Sequence, residues 1–464
     1  MPVAAHAAAF KQTETLRMER LLRVATCLAE CGYGAQVGQL AATARAFRAD
    51  AQLWAAHARY RGRKGRTLLM RAAWTGNVGR IGFLLERGVD VEAVTSSFGT
   101  TALMLACRRG RCEAARVLVE RGSANVNAAA TNDGYTALLF ACQEGHLEIV
   151  RFLVERGSGN VNAARTTDGV TALMLASQKG CLEIVRCLVE RGGANVNAAT
   201  TDNGSTALMW ASQEGHLEIV RCLVERGGAN VNAARTTDGY TALLLASETG
   251  HLEVVRFLVE RGGANANAAR TTDGQTALMW ASQNGNLEIV RCLVERGDVS
   301  VNAAKTTNGM TALMWACHFS HLEAVRYLVE RGDVNVNAAM TDDGYTALMW
   351  ACQGGHLEIV RCLVERGGAN VNAARTTDGD TALMRASYEG HLEIVRFLVE
   401  HGGANVNAAA TNDGYTALML ACDDDHLEVV RLLLQHGADR HARNHAGRTA
   451  RDLAGHPLVL AALA

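Results

Sequence analysis

Apolar and polar positions repeat in blocks along this chain. The clearest block is 206–240, TALMWASQEGHLEIVRCLVERGGANVNAARTTDGY, which is 35 residues long and returns with little change over most of the sequence. The threonine of its Thr-Ala-Leu motif stands at Thr101, Thr136, Thr171, Thr206, Thr241, Thr276, Thr311, Thr346, Thr381 and Thr416, each step being 35 residues. Self-similarity at a fixed period of this size means a solenoid, a propeller or another array. Within the block, 206–214 shows no strand alternation and is rich in Ala, Leu and Met, which favour helix. Thr206 is placed to act as an N-cap, its hydroxyl accepting from an otherwise unpaired amide, and Gly215 closes the helix. A second helix is expected from about His216, with Leu217, Val220, Leu223 and Val224 on one stripe. Gly227 and Gly228 stop it. The segment ANVNAARTTDGY then carries an Asp-Gly pair, the signal of a tight hairpin-like turn. The unit reads as helix, turn, helix, β-type finger.

The order Gly-x-Thr-x-Leu, Ala, Gly-His-Leu-Glu-Ile-Val, Leu, Gly-Ala-x-Val-Asn resembles the ankyrin repeat, over about residues 65–464. The resemblance implies an all-α repeat solenoid of ankyrin-type helix-turn-helix units with short β-hairpin-like fingers. Two departures stand out: Thr-Ala-Leu replaces the family's Thr-Pro-Leu, and the period is 35 rather than about 33. Losing proline removes a preset first helical turn, but alanine is the best helix former. Divergent copies flank the regular ones. Thr67 lies 34 residues before Thr101 and Thr449 lies 33 after Thr416, giving twelve repeats in 65–464 with atypical ends, as the end units of a solenoid require.

Residues 1–60 are not repeats. LRMERLLRVATCLAE (16–30) reads as a helix with Leu21, Ala25 and Leu28 on one face. GQLAATARAFRADAQLW (38–54) resembles the second half of an F-box, a motif that docks a substrate adaptor onto a cullin-type ubiquitin ligase, although the usual Leu-Pro opening is missing. The other reading of this region is a helical cap on the first repeat. The run 58–66 holds Arg59, Arg61, Arg63, Lys64 and Arg66 and reads either as a nuclear import signal or as a solvated linker.

Net charge is −1, so no bulk basic field draws the chain to nucleic acid or membrane. No apolar run reaches the ~18 residues that span a bilayer, and the N-terminus does not read as a secretory signal. Thirteen cysteines are present, but nine of them occupy two recurring repeat positions. Cys187, Cys222, Cys292 and Cys362 stand where other copies have Phe152, Phe257, Tyr327 and Phe397. Cys107, Cys142, Cys317, Cys352 and Cys422 alternate with Ser177, Ser212, Ser247, Ser282 and Ser387. Equivalent positions in stacked helices lie roughly 10 Å apart, beyond disulfide reach of about 7 Å. The pattern fits core filling in a reducing compartment, hence a cytoplasmic protein, or a nuclear one if the basic run is a signal. His146, His216, His251, His321, His356, His391 and His426 recur a whole repeat apart, too far to share an ion; the resemblance implies that this histidine bonds between loops. No metal, cofactor or catalytic residue is expected: the chain shows no Cys-x-x-Cys pair, phosphate-binding loop or nucleophile elbow.

Positions that vary between copies are the candidates for recognition. The residue before the motif threonine runs Tyr135, Val170, Ser205, Tyr240, Gln275, Met310, Tyr345, Asp380, Tyr415. The pair at the helix junction includes Arg108–Arg109, Gln143–Glu144, Gln178–Lys179, His318–Phe319, Tyr388–Glu389 and Asp423–Asp424. The resemblance implies that finger and first helix line a concave surface that binds partners. The candidate partner-contact residues are therefore Arg108, Arg109, Tyr135, Glu144, Lys179, Tyr240, Met310, His318, Phe319, Tyr345, Asp380, Tyr388, Tyr415, Asp423 and Asp424. Tyrosine suits an interface, combining contact area with a polar tip. The order from Arg108, Arg109 and Arg111 to Asp423, Asp424 and Asp425 fits a partner of opposite polarity. Trp210, Trp280, Trp315 and Trp350 replace leucine at one first-helix place and read as core. Arg385 takes that same place, with Asp380 or Glu389 in reach, as a local binding feature or a tolerated edge position. Outer-helix pairs such as Arg221–Glu225 read as a solvated face. The expected function is a non-catalytic, monomeric scaffold for partner proteins. The alternative is a substrate-recognition subunit of a cullin-type ligase docked through 38–54.

Overall fold

A computed structural model describes residues 65–156 and 158–464. The 16–30 segment, the F-box-like 38–54 and the basic run up to Lys64 lie outside the described residues.

Each motif threonine from Thr67 to Thr449 is an extended residue immediately before a helix. Thr206 shows why: its hydroxyl accepts from Met209 N at 3.4 Å, closing a first-turn amide that the helix itself leaves unpaired. The helix Ala207–Gln213 is short, because Gly215 follows in the left-handed region at φ +76. The second helix starts at Leu217. Its buried stripe is Ile219, Val220, Cys222 and Leu223, whereas the expected Leu217 and Val224 are only half-buried. At 3.6 residues per turn the first four share one arc, and Leu217 and Val224 fall on its flanks.

The chain divides into two compact units, one running to Asp202 and including Glu225–Ala229, the other comprising Asn203–Val224 and Asn230–Ala464. In the first, the helices Leu68–Thr75, Ala102–Arg108, Ala137–Gln143 and Ala172–Gln178 pack side by side. Val78–Leu85, Cys112–Glu120, Leu147–Glu155 and Leu182–Arg186 form a second layer against them. The second unit repeats this arrangement, its first helices running from Ala207–Gln213 to Ala450–Leu453 and its second helices from Leu217–Arg221 to Pro457–Ala462. The core lies between the layers: Ala246, Ala281, Ala316 and Ala351 are fully buried and let first helices approach, while Leu223, Leu258, Leu293 and Leu328 are fully buried from the second layer. Each such leucine contributes about 1.5–3 kcal/mol. The cysteines sit as expected in this core, Cys142, Cys317 and Cys352 fully buried, and burial pushes their thiols well up from the ordinary value.

Among the described residues the fingers form isolated antiparallel bridges, such as Ala269↔Thr276 and Ala304↔Thr311, and no strand ladder. Their remaining polar groups turn to the next finger instead. Thr271 N donates to Asp238 O at 2.9 Å and Thr306 N to Asp273 O at 2.8 Å. An asparagine ladder runs beside these bonds. Asn232 Oδ1 accepts from Asn265 N at 2.7 Å while its Nδ2 donates to Gly263 O at 3.1 Å, and Asn337 does the same with Asn370 and Gly368. At the helix junction, the recurring histidine bonds the end of the preceding first helix: His251 to Gln213 O at 3.0 Å, His321 to Gln283 O at 2.9 Å and His391 to Gln353 O at 3.1 Å.

The outer-helix arginines pair with the glutamate three residues earlier, as Arg221 with Glu218 at 3.5 Å, and Arg396 also reaches Glu400 four residues later at 4.0 Å. These pairs are exposed and contribute little. At the C-terminal end, Asp425 replaces the junction glycine and keeps its left-handed backbone, φ +56. Its Oδ1 accepts from Gly455 N at 3.1 Å and His456 N at 2.8 Å, fixing the start of Pro457–Ala462. The Asp423–Asp425 triplet is thus split, with one member structural and two facing outward.

Two outcomes follow for the backbone. Gly239 has φ +77, and a Cβ there would lie 2.7 Å from Thr271 N; Gly263 has φ +68 with open space around it. Gly239→Ala is therefore expected to destabilise by more than Gly263→Ala, whose cost is the backbone strain of about 1–2 kcal/mol, as read by urea denaturation; equal effects would contradict the finger–finger contact. Asp425→Gly is expected to speed hydrogen exchange at 455–463 without moving the rest of the chain, whereas Asp425→Asn, which keeps an acceptor oxygen, should not.

Candidate partner-binding surface

The variable positions separate into three groups in the structure. Tyr135, Tyr240, Met310 and Tyr345 are buried. Asp380 and Tyr415 are half-buried, and Arg108, Arg109, Glu144, Lys179, His318, Phe319, Tyr388, Asp423 and Asp424 are exposed.

The burial of the tyrosines corrects their reading as free contact residues. The Tyr135 ring stacks on Phe140 at 4.6 Å. Its hydroxyl donates to Gln143 Oε1 at 2.7 Å and accepts from Arg165 Nη1 of the next finger at 2.9 Å. Tyr345 donates to Gln353 Oε1 at 2.5 Å and lies 4.6 Å from the Trp350 ring. The Tyr240 ring is held between the guanidinium groups of Arg235 at 4.6 Å and Arg270 at 4.9 Å, and burial with the nearby Glu248 raises its pKa. Gln275 follows the same rule, its Nε2 donating to Gln283 Oε1 at 3.1 Å. The residue before the threonine thus bonds the residue eight places later. Sequence comparison of the copies does not announce these pairs, because glutamine stands eight residues after Val170 and Ser205 as it does after Tyr135, Gln275 and Tyr345. Tyr415 departs from this pairing, its hydroxyl accepting from Arg448 Nη2 at 2.9 Å.

Arg385 pairs with Asp380, its Nη2 reaching Asp380 Oδ2 and lying 3.7 Å from Asp378 Oδ2; no pair with Glu389 forms. Arg375 joins the same network through Asp378 at 2.6 Å and Asp343 at 2.9 Å. Each finger of this type carries a related pair, such as Arg235 Nε to Asp238 Oδ1 at 2.9 Å. That hydrogen bond lowers the Asp238 pKa, against the opposing effect of burial and with help from Tyr240 N–H.

The tryptophans are less enclosed than a core reading implies. Trp210, Trp280, Trp315 and Trp350 are half-buried, whereas Leu105, Leu175 and Leu245 at the same first-helix place are buried. In the second unit they underlie exposed aromatics. Phe319 stacks on Trp315 at 5.8 Å, and His318 meets Trp350 edge-on at 4.3 Å. Burial lowers the His318 pKa, which favours the neutral imidazole. In the first unit Trp74 lies between Arg66 at 4.7 Å and Arg109 at 4.6 Å, while Arg108 sits 5.5 Å over Phe140. Among the described residues, no three His, Cys, Asp or Glu side chains come together in a way that could hold a metal ion, and no helix is long and apolar enough to cross a membrane.

Paired short helices, threonine-capped and joined by single-bridge fingers, define a helical repeat array. A family model for ankyrin repeats, in copies of three, matches residues 69–164, 159–235, 228–304, 299–375 and 368–444. These matches cover well over half of the chain, which belongs to the ankyrin repeat family. Comparison with curated proteins finds no match. Ankyrin repeats are generally protein–protein interaction modules.

The Arg235–Asp238 pair gives a pH test. The folded-state pKa of Asp238 lies below its unfolded value near 3.8, so the stability it supplies is present above that value and is lost as pH falls through the folded one. The stability advantage of wild type over Asp238→Asn should hold steady from pH 7 to about 5 and shrink below pH 4, as measured by urea denaturation. An advantage that grows on acidification would contradict this assignment.

Proposed function

We propose that this chain is a non-catalytic, monomeric scaffold that holds partner proteins on the surface built by its first helices and fingers. The observation that carries this reading is the exposure of large variable side chains at the ends of the first helices, above all Phe319 at 45% and Tyr388 at 42%. The equivalent positions in other copies carry mostly charged, glutamine or small side chains, so Phe319 and Tyr388 set aromatic surface where the array otherwise shows polar groups, and aromatic side chains dominate contact energetics. The cytoplasmic reading rests on the use of cysteine as a core residue and the nuclear one on the basic run 58–66.

A second reading makes the chain a substrate-recognition subunit of a cullin-type ubiquitin ligase. It is supported by the F-box-like order of Leu40, Phe47 and Trp54. Capture of the cullin-adaptor linker protein by wild type and its loss in a Leu40→Ala/Phe47→Ala/Trp54→Ala variant would support it; no capture, or equal capture by both, removes it.

Affinity capture from native extract tests the scaffold reading. The Phe319→Ala/Tyr388→Ala variant is expected to keep the helical circular dichroism and melting of wild type while losing a defined set of captured proteins. Indistinguishable capture by the two would overturn the assignment of this surface.

A further inference from the structure

In the second unit, the ends of four adjacent first helices, Ala312–His318, Ala347–Gln353, Ala382–Tyr388 and Ala417–Asp423, bring the pairs His318–Phe319, Gln353–Gly354, Tyr388–Glu389 and Asp423–Asp424 into one row. Packed helices are spaced by about 10 Å, so the row spans roughly 30 Å. Its two ends differ in chemistry. At one, Phe319 is exposed over Trp315, His318 stands edge-on to both Phe319 at 4.7 Å and Trp350 at 4.3 Å, and Gly354 adds no side chain to cover them. The equivalent place carries Phe319 in the copy before and Glu389 in the copy after, so this gap is particular to one copy. Tyr388 continues the aromatic surface one step beyond Gly354.

The other end is anionic. Glu389, Asp423 and Asp424 are exposed and make no ion pair among the described residues. Outer-helix carboxylates behave differently, Glu323 pairing with Arg326 at 3.0 Å and Glu428 with Arg431 at 2.9 Å. The nearest cation on the floor of the row, Arg385, is already held by Asp380 and Asp378. The strip therefore offers exposed π-faces followed by three uncompensated carboxylates.

We propose that this strip binds an extended, arginine-bearing basic peptide segment of a partner protein. The proposal rests on the scaffold reading and adds the chemistry of the partner. Arginine suits both ends: its planar guanidinium stacks on aromatic faces and pairs bidentately with carboxylates. Lysine reproduces the charge without the stacking plane. At about 3.3–3.6 Å per residue, nine or ten extended residues span the row. A polyanion meets repulsion from Glu389, Asp423 and Asp424.

The test is fluorescence anisotropy of the full chain with a labelled ten-residue peptide carrying four arginines and one tryptophan. Parallel titrations use its lysine-for-arginine counterpart and a glutamate-for-arginine counterpart. The arginine peptide is expected to saturate the protein, to weaken as salt screens the carboxylates, and to exceed the lysine peptide by about threefold or more; the glutamate peptide should not bind. Asp423→Asn/Asp424→Asn should weaken binding about fivefold or more and flatten its salt dependence. Phe319→Leu, which keeps apolar volume and removes the π-face, should weaken it about threefold with the salt dependence unchanged. Glu323→Gln/Glu428→Gln, which removes two carboxylates from the outer helices of the same unit, should leave it unaltered. No saturable binding of the arginine peptide, or equal binding by wild type and the strip variants, overturns the proposal. Proteins captured by wild type, lost in Phe319→Ala/Tyr388→Ala and not displaced by the arginine peptide would leave the scaffold reading standing while this one falls.

Discussion

An asparagine in each finger has two polar arms, and both reach the next copy. Asn232 Oδ1 takes the amide of Asn265 and its Nδ2 meets the carbonyl of Gly263. The finger backbone adds a further bond, Thr271 N to Asp238 O, and the junction histidine adds another, His251 to Gln213 O. A single helical pair would leave these groups to water and its leucine stripe uncovered. Within each unit, the neighbouring copy satisfies the polar groups and buries the stripe at once. That coupling explains the fixed period: a one-residue slip would part every donor from its acceptor along the array.

The same coupling limits where recognition can sit. Most of a repeat is committed to its neighbours, including positions whose identity changes. Tyr135, Tyr240 and Tyr345 are each buried between finger and helix end and engaged with the residue eight places on. Arg385 with Asp380 is another solution at that place, a charged one: the arginine replaces tryptophan or leucine, and its charge is taken up by two aspartates. Variation there is repacking. Variation at Phe319, Tyr388, Asp423 and Asp424 has no such partner, and the physical difference between the two kinds is solvent exposure.

Glycine marks the closest approaches between copies. Gly215 faces His251, Gly239 faces Thr271 and Gly355 faces His391, each with no space for a Cβ. Where the junction glycine is lost, at Asp425, the backbone keeps its left-handed turn and the side chain is turned to use on the terminal helix.

Repeat length, the helical pair, the threonine cap, the glycine stops and the role of cysteine as filler were all legible in the sequence, because each is a local or periodic property of the 35-residue block. So was the junction histidine, which recurs at one place in seven copies. The arc of the second helix was off by its flanks, since Leu217 and Ile219 are equally apolar and only the packing neighbours choose between them. Three decisions belonged to the tertiary structure: which variable side chains are enclosed, which carboxylates find an arginine, and whether the tryptophans are covered. Each depends on what stands opposite once helices and fingers pack, from Asp380 five residues from Arg385 to Asp343 32 residues from Arg375, and a pattern read along one chain records which residues vary without recording what stands opposite them.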